Sequence, residues 1–143
     1  MIEAESIFDR VKDSGERLTL LRRLVIAALC QQPGHATVAD LQARILAAEG
    51  GHDIPAPTVY RTLQWLKGLG IVSQTDIGAA GAVYELVAQP YHHHLVCLNC
   101  GALIDLDDAY FAPLRASLRR DHGFVARIEH MAVFGLCAAC TPV

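Results

Sequence analysis

The chain has 143 residues, 52% of them hydrophobic and 19% charged, with a formal net charge of −3. That length suits one ordinary domain or two small ones with real apolar cores, and no apolar run approaches the ~18 residues that a membrane span needs. Residues 1–90 hold eight Lys/Arg against ten Asp/Glu, and residues 91–143 four against five, which excludes bulk electrostatic attraction to nucleic acid and leaves only a local basic face for it.

The N-terminal "MIEAESIFDR" is amphipathic and acidic rather than a secretion signal, so a cytoplasmic protein is expected. In that compartment five cysteines argue for metal or redox chemistry rather than disulfides. "ESIFDRVKDS" predicts a short amphipathic helix ending near Gly15. "TLLRRLVIAALCQQ" predicts a second helix with a Thr N-cap, an apolar stripe of Leu21, Leu24, Val25, Ala28 and Leu29, and a stop at Pro33-Gly34. Cys30, alone on that helix, reads as a small buried apolar residue. "TVADLQARILAAEG" again begins at a Thr and is expected to end at Gly50-Gly51.

"PTVYRTLQWLKGLG" has Pro57 early and glycines late, as helices prefer. Val59, Leu63 and Leu66 share one face; Tyr60, Arg61, Gln64 and Lys67 lie on or near the other. The period then changes. "IVSQT" and "AVYEL" are strand candidates joined by the glycine-containing turn "DIGAAG". Helices followed by a hairpin are the order of a winged helix-turn-helix domain, whose last helix enters the DNA major groove. Many helical domains share that order, and an exposed Arg is commonly only solvated.

Pro90 and Tyr91 mark a hinge. Beyond it, "HLVCLNCGALIDL" reads as two strands around a tight turn. "DDAYFAPLRASLRRDHG" reads as a helix with an acidic start and a basic end, matching its macrodipole. "FVARIEHMAVFG" reads as a strand leading into "CAAC". Cys97 with Cys100, and Cys137 with Cys140, form two CxxC pairs. Two residues between thiolates let both sulfurs face one cation, and two such turns complete the tetrahedral site that zinc prefers. The strand before the second pair must then run beside "LVCLNCG". A dithiol redox pair is the rival reading, but neither CxxC has a thioredoxin-like context. A module of some fifty residues also needs a metal staple.

Four thiolates fill one zinc, so His92, His93 and His94 are surplus to it. In an extended segment His92 and His94 share a face, and His93 points the other way. His35 and Glu85, both from the first half, are candidate partners for His92 and His94 in a second site clamping the halves across the hinge. A solvated histidine cluster is the alternative. Nitrogen and oxygen donors without sulfur fit ferrous iron, manganese, zinc or nickel. His93, His130 and Asp105 are candidates for an additional metal, and Asp105 is alternatively a fifth ligand beside His92 and His94. His52 and His122 are expected at the surface.

Together, "RLTLLRRLVIAAL", "PTVYRTLQWLKGLGIV", "AVYEL", "HHHLVCLNCG" and "GLCAAC" resemble the ferric uptake regulator (Fur) superfamily in order and spacing over nearly the whole chain. The resemblance implies a dimeric bacterial transcription factor, most often a repressor, that binds palindromic operators when loaded with metal. It implies an α+β fold: an N-terminal winged helix-turn-helix DNA-binding domain, residues 1–89, and a small α/β dimerisation and metal-binding domain with a four-cysteine zinc site, residues 90–143. It assigns Arg22, Thr58, Tyr60 and Arg61 to DNA. It assigns Cys97, Cys100, Cys137 and Cys140 to structural Zn2+. His35, Glu85, His92 and His94 fall to a second divalent cation, Fe2+ in iron-type members and Zn2+ or Mn2+ in others.

Departures from the pattern narrow the reading. Val87 stands near where zinc-sensing relatives offer a cysteine. Tyr91 and Ala112 stand where many relatives offer further ligands, leaving His93 and His130. Asp105 matches a carboxylate of peroxide-sensing relatives. The expected function is a metal-responsive repressor of metal homeostasis of the iron type, with a zinc-, manganese- or peroxide-responsive member of the same superfamily as the alternative. Its expected partners are double-stranded operator DNA and a second copy of itself, with no membrane and no small organic substrate. An enzyme is disfavoured, because the chain lacks HExxH and shows no paired carboxylate or nucleophile. A metal-storage or chaperone protein is the remaining alternative.

Overall fold

A computed structural model describes residues 2–78, 81–87 and 91–142. The chain divides into two compact units, Met1–Gln74 with Gly81–Leu86, and Thr75–Ala80 with Val87–Val143. Pro90, half of the expected hinge, lies outside the described residues.

The first unit carries α1 (Ala4–Asp13), α2 (Leu20–Gln31), α3 (Val38–Ala47) and α4 (Ala56–Gly68). A two-stranded sheet of β1 (Val72–Asp76) and β2 (Ala82–Leu86) follows, the first of which runs on into the second unit. The threonines act as caps. Thr19 Oγ1 accepts from the Arg22 N–H. Thr37 and Asp40 exchange reciprocal hydrogen bonds of 2.8 and 3.1 Å in a full capping box. Thr37→Ala removes one half of that box and is expected to cost about 1 kcal/mol, read as a lower urea midpoint at unchanged slope.

Ile7, Val11, Val25, Ile26, Leu41, Val59, Leu63 and Leu66 fill one core with Tyr84. The stripe of α2 is shifted from expectation: Ile26 is fully buried while Leu21 is 40% exposed. Leu21 sits in the first turn, where it borders an open cleft with Arg22, Thr58, Arg61 and Trp65. Helix α3 also stops earlier than its glycines suggest. Ala48 is already extended, and the Gly51 N–H turns back to the Ala48 carbonyl at 2.9 Å. A Cβ on Gly51 would lie 2.3 Å from the Leu46 carbonyl oxygen, so only glycine fits this turn.

The second unit contains β3 (His92–Cys97), β4 (Leu103–Asp107), a 3₁₀ turn at Asp108–Tyr110, α5 (Ala112–His122) and β5 (Ala132–Gly135). The sheet order is β4-β3-β5, with β4 antiparallel and β5 parallel to β3. His94 is in register with Asp105 on one side and Ala132 on the other, and Cys97 with Gly135. The strand before the second CxxC therefore does run beside the first.

Two expectations are corrected in this unit. The helix over 107–123 is broken: the Asp107 carboxylate accepts from the Ala109 N–H and starts the 3₁₀ turn, and α5 begins afresh around Pro113. Its first turn holds no acidic residue, whereas Arg119, Arg120 and His122 occupy its last. The strand over 124–135 shrinks to its last four residues, because only residues from Ala132 onward pair with β3. In the first unit, His52 is half-buried rather than exposed.

Candidate metal centres and nucleic-acid interface

The register of β5 on β3 brings both CxxC turns to one end of the sheet. The Gly101 N–H bonds the Cys97 carbonyl and the Cys140 N–H bonds the Cys137 carbonyl, closing each turn. The four sulfurs lie within 4.8 Å of one another, and Cys100 Sγ is 3.7 Å from Cys137 Sγ. A tetrahedral zinc with bonds of about 2.3 Å needs neighbouring sulfurs about 3.8 Å apart, so these residues fit it.

The Cys137 N–H and the Asn99 side-chain amide donate to Cys97 Sγ and Cys140 Sγ at 3.4 and 3.3 Å. Backbone N–H donation, first from Cys100 and then from Cys137, brings the Cys97 thiol down to about 6. Cys100 goes the other way. The Ala102 N–H pulls it down, but the surrounding Cys97, Cys137 and Cys140 sulfurs outweigh that and hold it at about 11. One thiolate is thus ready near neutral pH, and Cys100 yields its proton only to a cation.

Alternation along β3 separates the histidines as expected. His93 is fully buried. Its Nδ1 accepts from the Met131 N–H at 3.0 Å, so its Nε2 carries the proton that faces Asp108 Oδ1 at 2.8 Å. Arg115 clamps the same carboxylate and also donates to the Ile128 carbonyl. The Arg115 guanidinium first, and His93 next, hold the Asp108 carboxyl below the usual carboxylate range. Phe111 packs on the His93 ring at 4.3 Å. Asp108 and Arg115 carried no signal in the sequence beyond a charge pair seven apart.

The sequence grouped His93 with His130 and Asp105. The structure instead brings His94 to both: Nε2 lies 2.8 Å from His130 Nε2, and Nδ1 lies 3.1 Å from Asp105 Oδ1. The His92 ring centre is 5.1 Å from each of His94 and His130. His130 Nδ1 in turn lies 2.7 Å from the hydroxyl of Thr75, grouped in the same unit.

In the first unit, Ala36 and Tyr84 form an antiparallel bridge with hydrogen bonds of 2.8 and 2.7 Å. That bridge sets His35 opposite Glu85, with Nε2 and Oε2 3.2 Å apart and both side chains half-buried. Gln32 donates to the His35 carbonyl and accepts from Arg44, which fixes the loop.

Helix α4 buries Val59, Thr62, Leu63 and Leu66 and leaves Tyr60 and Arg61 exposed. Gln64 is turned away from solvent toward Gln74, at 2.8 Å. Thr58 is half-buried, and its carbonyl accepts from the Thr62 hydroxyl. The Arg22 guanidinium stacks 3.7 Å over the Trp65 ring. Arg22 and Arg61 thus border one cleft with Thr58, a local basic face on an otherwise acidic chain.

A helical unit ending in a two-stranded wing, and a sheet unit with a four-cysteine cradle beside a histidine cluster, define a metal-binding winged-helix protein. Residues 13–134 match the model of the Ferric uptake regulator family. The chain is 30% identical to the ferric uptake regulation protein of Campylobacter jejuni, over 97% of this chain and 91% of that protein. Its fold is similar to the ferric uptake regulator of Pseudomonas aeruginosa solved with manganese, at TM-score 0.72 and 24% identity, covering 92% of this chain and 97% of that one. It is also similar to a zinc uptake regulator complexed with zinc and DNA, at TM-score 0.60 and 26% identity, covering 95% and 91%. The chain belongs to the ferric uptake regulator family of metal-responsive transcription regulators.

Proposed function

We propose that the protein is an iron-type repressor of metal homeostasis that binds operator DNA as a metal-loaded homodimer in the cytoplasm. Residues 1–89 serve as the DNA-binding domain and residues 90–143 as the dimerisation and metal-binding domain. Structural Zn2+ is held by Cys97, Cys100, Cys137 and Cys140. A second divalent cation, Fe2+ in this reading, is held by His35, Glu85, His92 and His94. The chain has no catalytic role. The observation that carries the proposal is the division of donors on one strand: the sulfurs complete a set of four at one end of β3, leaving His92 and His94 for another ion. In the first unit, the Ala36–Tyr84 bridge already presents His35 beside Glu85.

Geometry rather than charge does the switching. A cation beside Glu85 adds two units to a chain of net charge −3 that gains further negative charge as its cysteines ionise. Fixing the DNA-binding domain on the dimer lets two α4 helices enter major grooves roughly 34–36 Å apart, for half-sites one turn apart. The dimer reading is supported by an apolar row across the sheet. Ile104, Leu95 and Val133 are in register, and Ile104 and Val133 are 48% and 41% exposed. A second copy of the same face would cover them.

The test is operator affinity titrated separately with Fe2+, Mn2+, Zn2+ and Ni2+ under reducing, anaerobic conditions. Tightest binding with Fe2+ supports the iron-type reading. Tightest binding with Mn2+ or Zn2+ moves the protein to another branch, and operator binding that ignores every metal sinks the proposal. The support for DNA contact by α4 is the exposed Tyr60-Arg61 pair beside Arg22 and Thr58. Arg61→Ala is expected to weaken operator binding by roughly 5–150-fold, the effect of losing 1–3 kcal/mol of base readout. Its metal content should match the unaltered protein when measured by mass spectrometry.

A further inference from the structure

We infer that His130 is a ligand of the variable cation, completing with His92 and His94 a three-imidazole set held by the second unit alone. The inference rests on the reading that His92 and His94 hold that cation, and it adds a donor from a different strand. Three observations within this unit carry it.

The ring centres of His92, His94 and His130 stand 4.8, 5.1 and 5.1 Å apart, a nearly equilateral triangle. An imidazole bound at about 2.0–2.1 Å has its ring centre about 3.2 Å from the ion, so rings at tetrahedral angles have centres about 5.2 Å apart. The triangle already has the size that one shared ion requires.

The far nitrogens of two rings each have an oxygen beside them. His94 Nδ1 faces Asp105 at 3.1 Å and His130 Nδ1 faces the Thr75 hydroxyl at 2.7 Å. Carboxylate or hydroxyl partners of this kind orient metal-bound imidazoles and fix which nitrogen meets the ion. The third observation is the meeting of the remaining nitrogens, His94 Nε2 and His130 Nε2, at 2.8 Å. Whichever ring donates in this contact, one cation can take both Nε2 atoms once that ring carries its proton on Nδ1 instead. Opening the pair by about half an ångström reaches the roughly 3.3 Å spacing of two tetrahedral nitrogen ligands.

Register explains why His130 and not a neighbour does this. Ala132 pairs with His94, and the Met131 carbonyl accepts from the His94 N–H. His130 enters just before that pairing begins, on the side of His94. Three imidazoles make the set nitrogen-rich. Such a set favours Co2+, Ni2+ and Zn2+ over Mn2+ more strongly than a set with two imidazoles and carboxylates.

The test uses the full-length dimer with zinc in its cysteine site, titrated with Co2+ at the second site. Proton spectra of the cobalt form should show a paramagnetically shifted, exchangeable imidazole N–H from His130, which disappears in H130Q. Gln keeps a polar side chain of similar reach but is a poor ligand, and Co2+ affinity should fall at least about tenfold, as when metal-site partners are removed. The double variant H35A/E85A should still take up one Co2+ per chain at this site, through the three imidazoles.

Unchanged affinity and an unchanged set of shifted N–H signals in H130Q would overturn the inference while leaving His92 and His94 as ligands. Complete loss of Co2+ uptake in H35A/E85A would overturn it as well, because the three imidazoles would then be insufficient. If H92A and H94A both left uptake unchanged, the underlying assignment of the variable site would fall, and the inference with it.

Discussion

Cys97→Ser is expected to strip zinc from the protein, unfold the second unit and leave a monomer that binds no operator. The second unit buries few apolar side chains. Val96, Cys97, Phe111 and Ile128 are below a tenth exposed, whereas Leu103, Ile104, Phe124, Phe134 and Leu136 each remain 44% exposed or more. A small core of this kind supplies little stability by itself, and a structural zinc contributes roughly 10–16 kcal/mol that enters directly as folding free energy. Whole domains are stable by only about 5–15 kcal/mol, so losing even half of the zinc contribution removes the fold. Zinc content after dialysis, circular dichroism and sedimentation velocity read the three losses. A zinc-free variant that stayed a folded dimer would refute the structural role.

The same site sets a pH dependence. Cys100 keeps its proton up to about 11 in the metal-free protein, so zinc must displace that proton throughout the neutral range. Cys97 is already a thiolate above about 6 and adds its own displaced proton only below that pH. Zinc affinity of the metal-free chain should therefore rise with pH between about 6 and 11, and fall more steeply below about 6. Each displaced proton changes the affinity about tenfold per pH unit. Competition with a chromophoric chelator across that range measures the slope.

His92→Ala should do the opposite of Cys97→Ser: zinc, fold and dimer persist, and metal no longer controls DNA binding. His92 is half-buried at the start of β3, five residues from Cys97, so its loss leaves the sulfur site and the sheet register intact. The unaltered protein should bind its operator roughly 5–150-fold more tightly with the cation than without, the span of a coupling free energy of 1–3 kcal/mol. Linkage requires operator DNA to tighten cation binding by the same factor, and H92A should lose both effects together. Fluorescence anisotropy with labelled operator, and calorimetry with and without DNA, give the two factors. Retention of either one at full size would show that His92 is not a ligand.

The features legible in the sequence are those written in local chemistry. Thr19 and Thr37 announce helix starts because a cap is made within three residues. The paired cysteines announce a cluster because two residues between thiolates already fix how each pair faces a metal. The alternation of His92, His93 and His94 follows from the pleat alone. What escaped depends on distant partners. His130 meets His94 only because β5 lies parallel to β3 in one register, and a shift by one residue would turn it to the other side. The environment of His93 rests on Asp108, delivered by a 3₁₀ turn that the sequence read as part of a long helix. The missing length of β5 has the same origin, since a strand-like pattern becomes a strand only where a neighbour accepts its hydrogen bonds.

Strand β3 carries Cys97 at one end and His92 and His94 at the other, with only about 10 Å between His94 and Cys97. The zinc turn anchors the strand at Cys97, and the pairings with β4 and β5 transmit that anchorage to the histidines. On the proposed reading the two ions are then inputs of unequal rank. Zinc is the enabling input, because without it the histidines have no fixed positions from which to measure anything else. The variable cation is the signal, and it is legible only in a cell that has zinc to spare. The regulator behaves as a conditional gate in which scarcity of one metal silences the report on another.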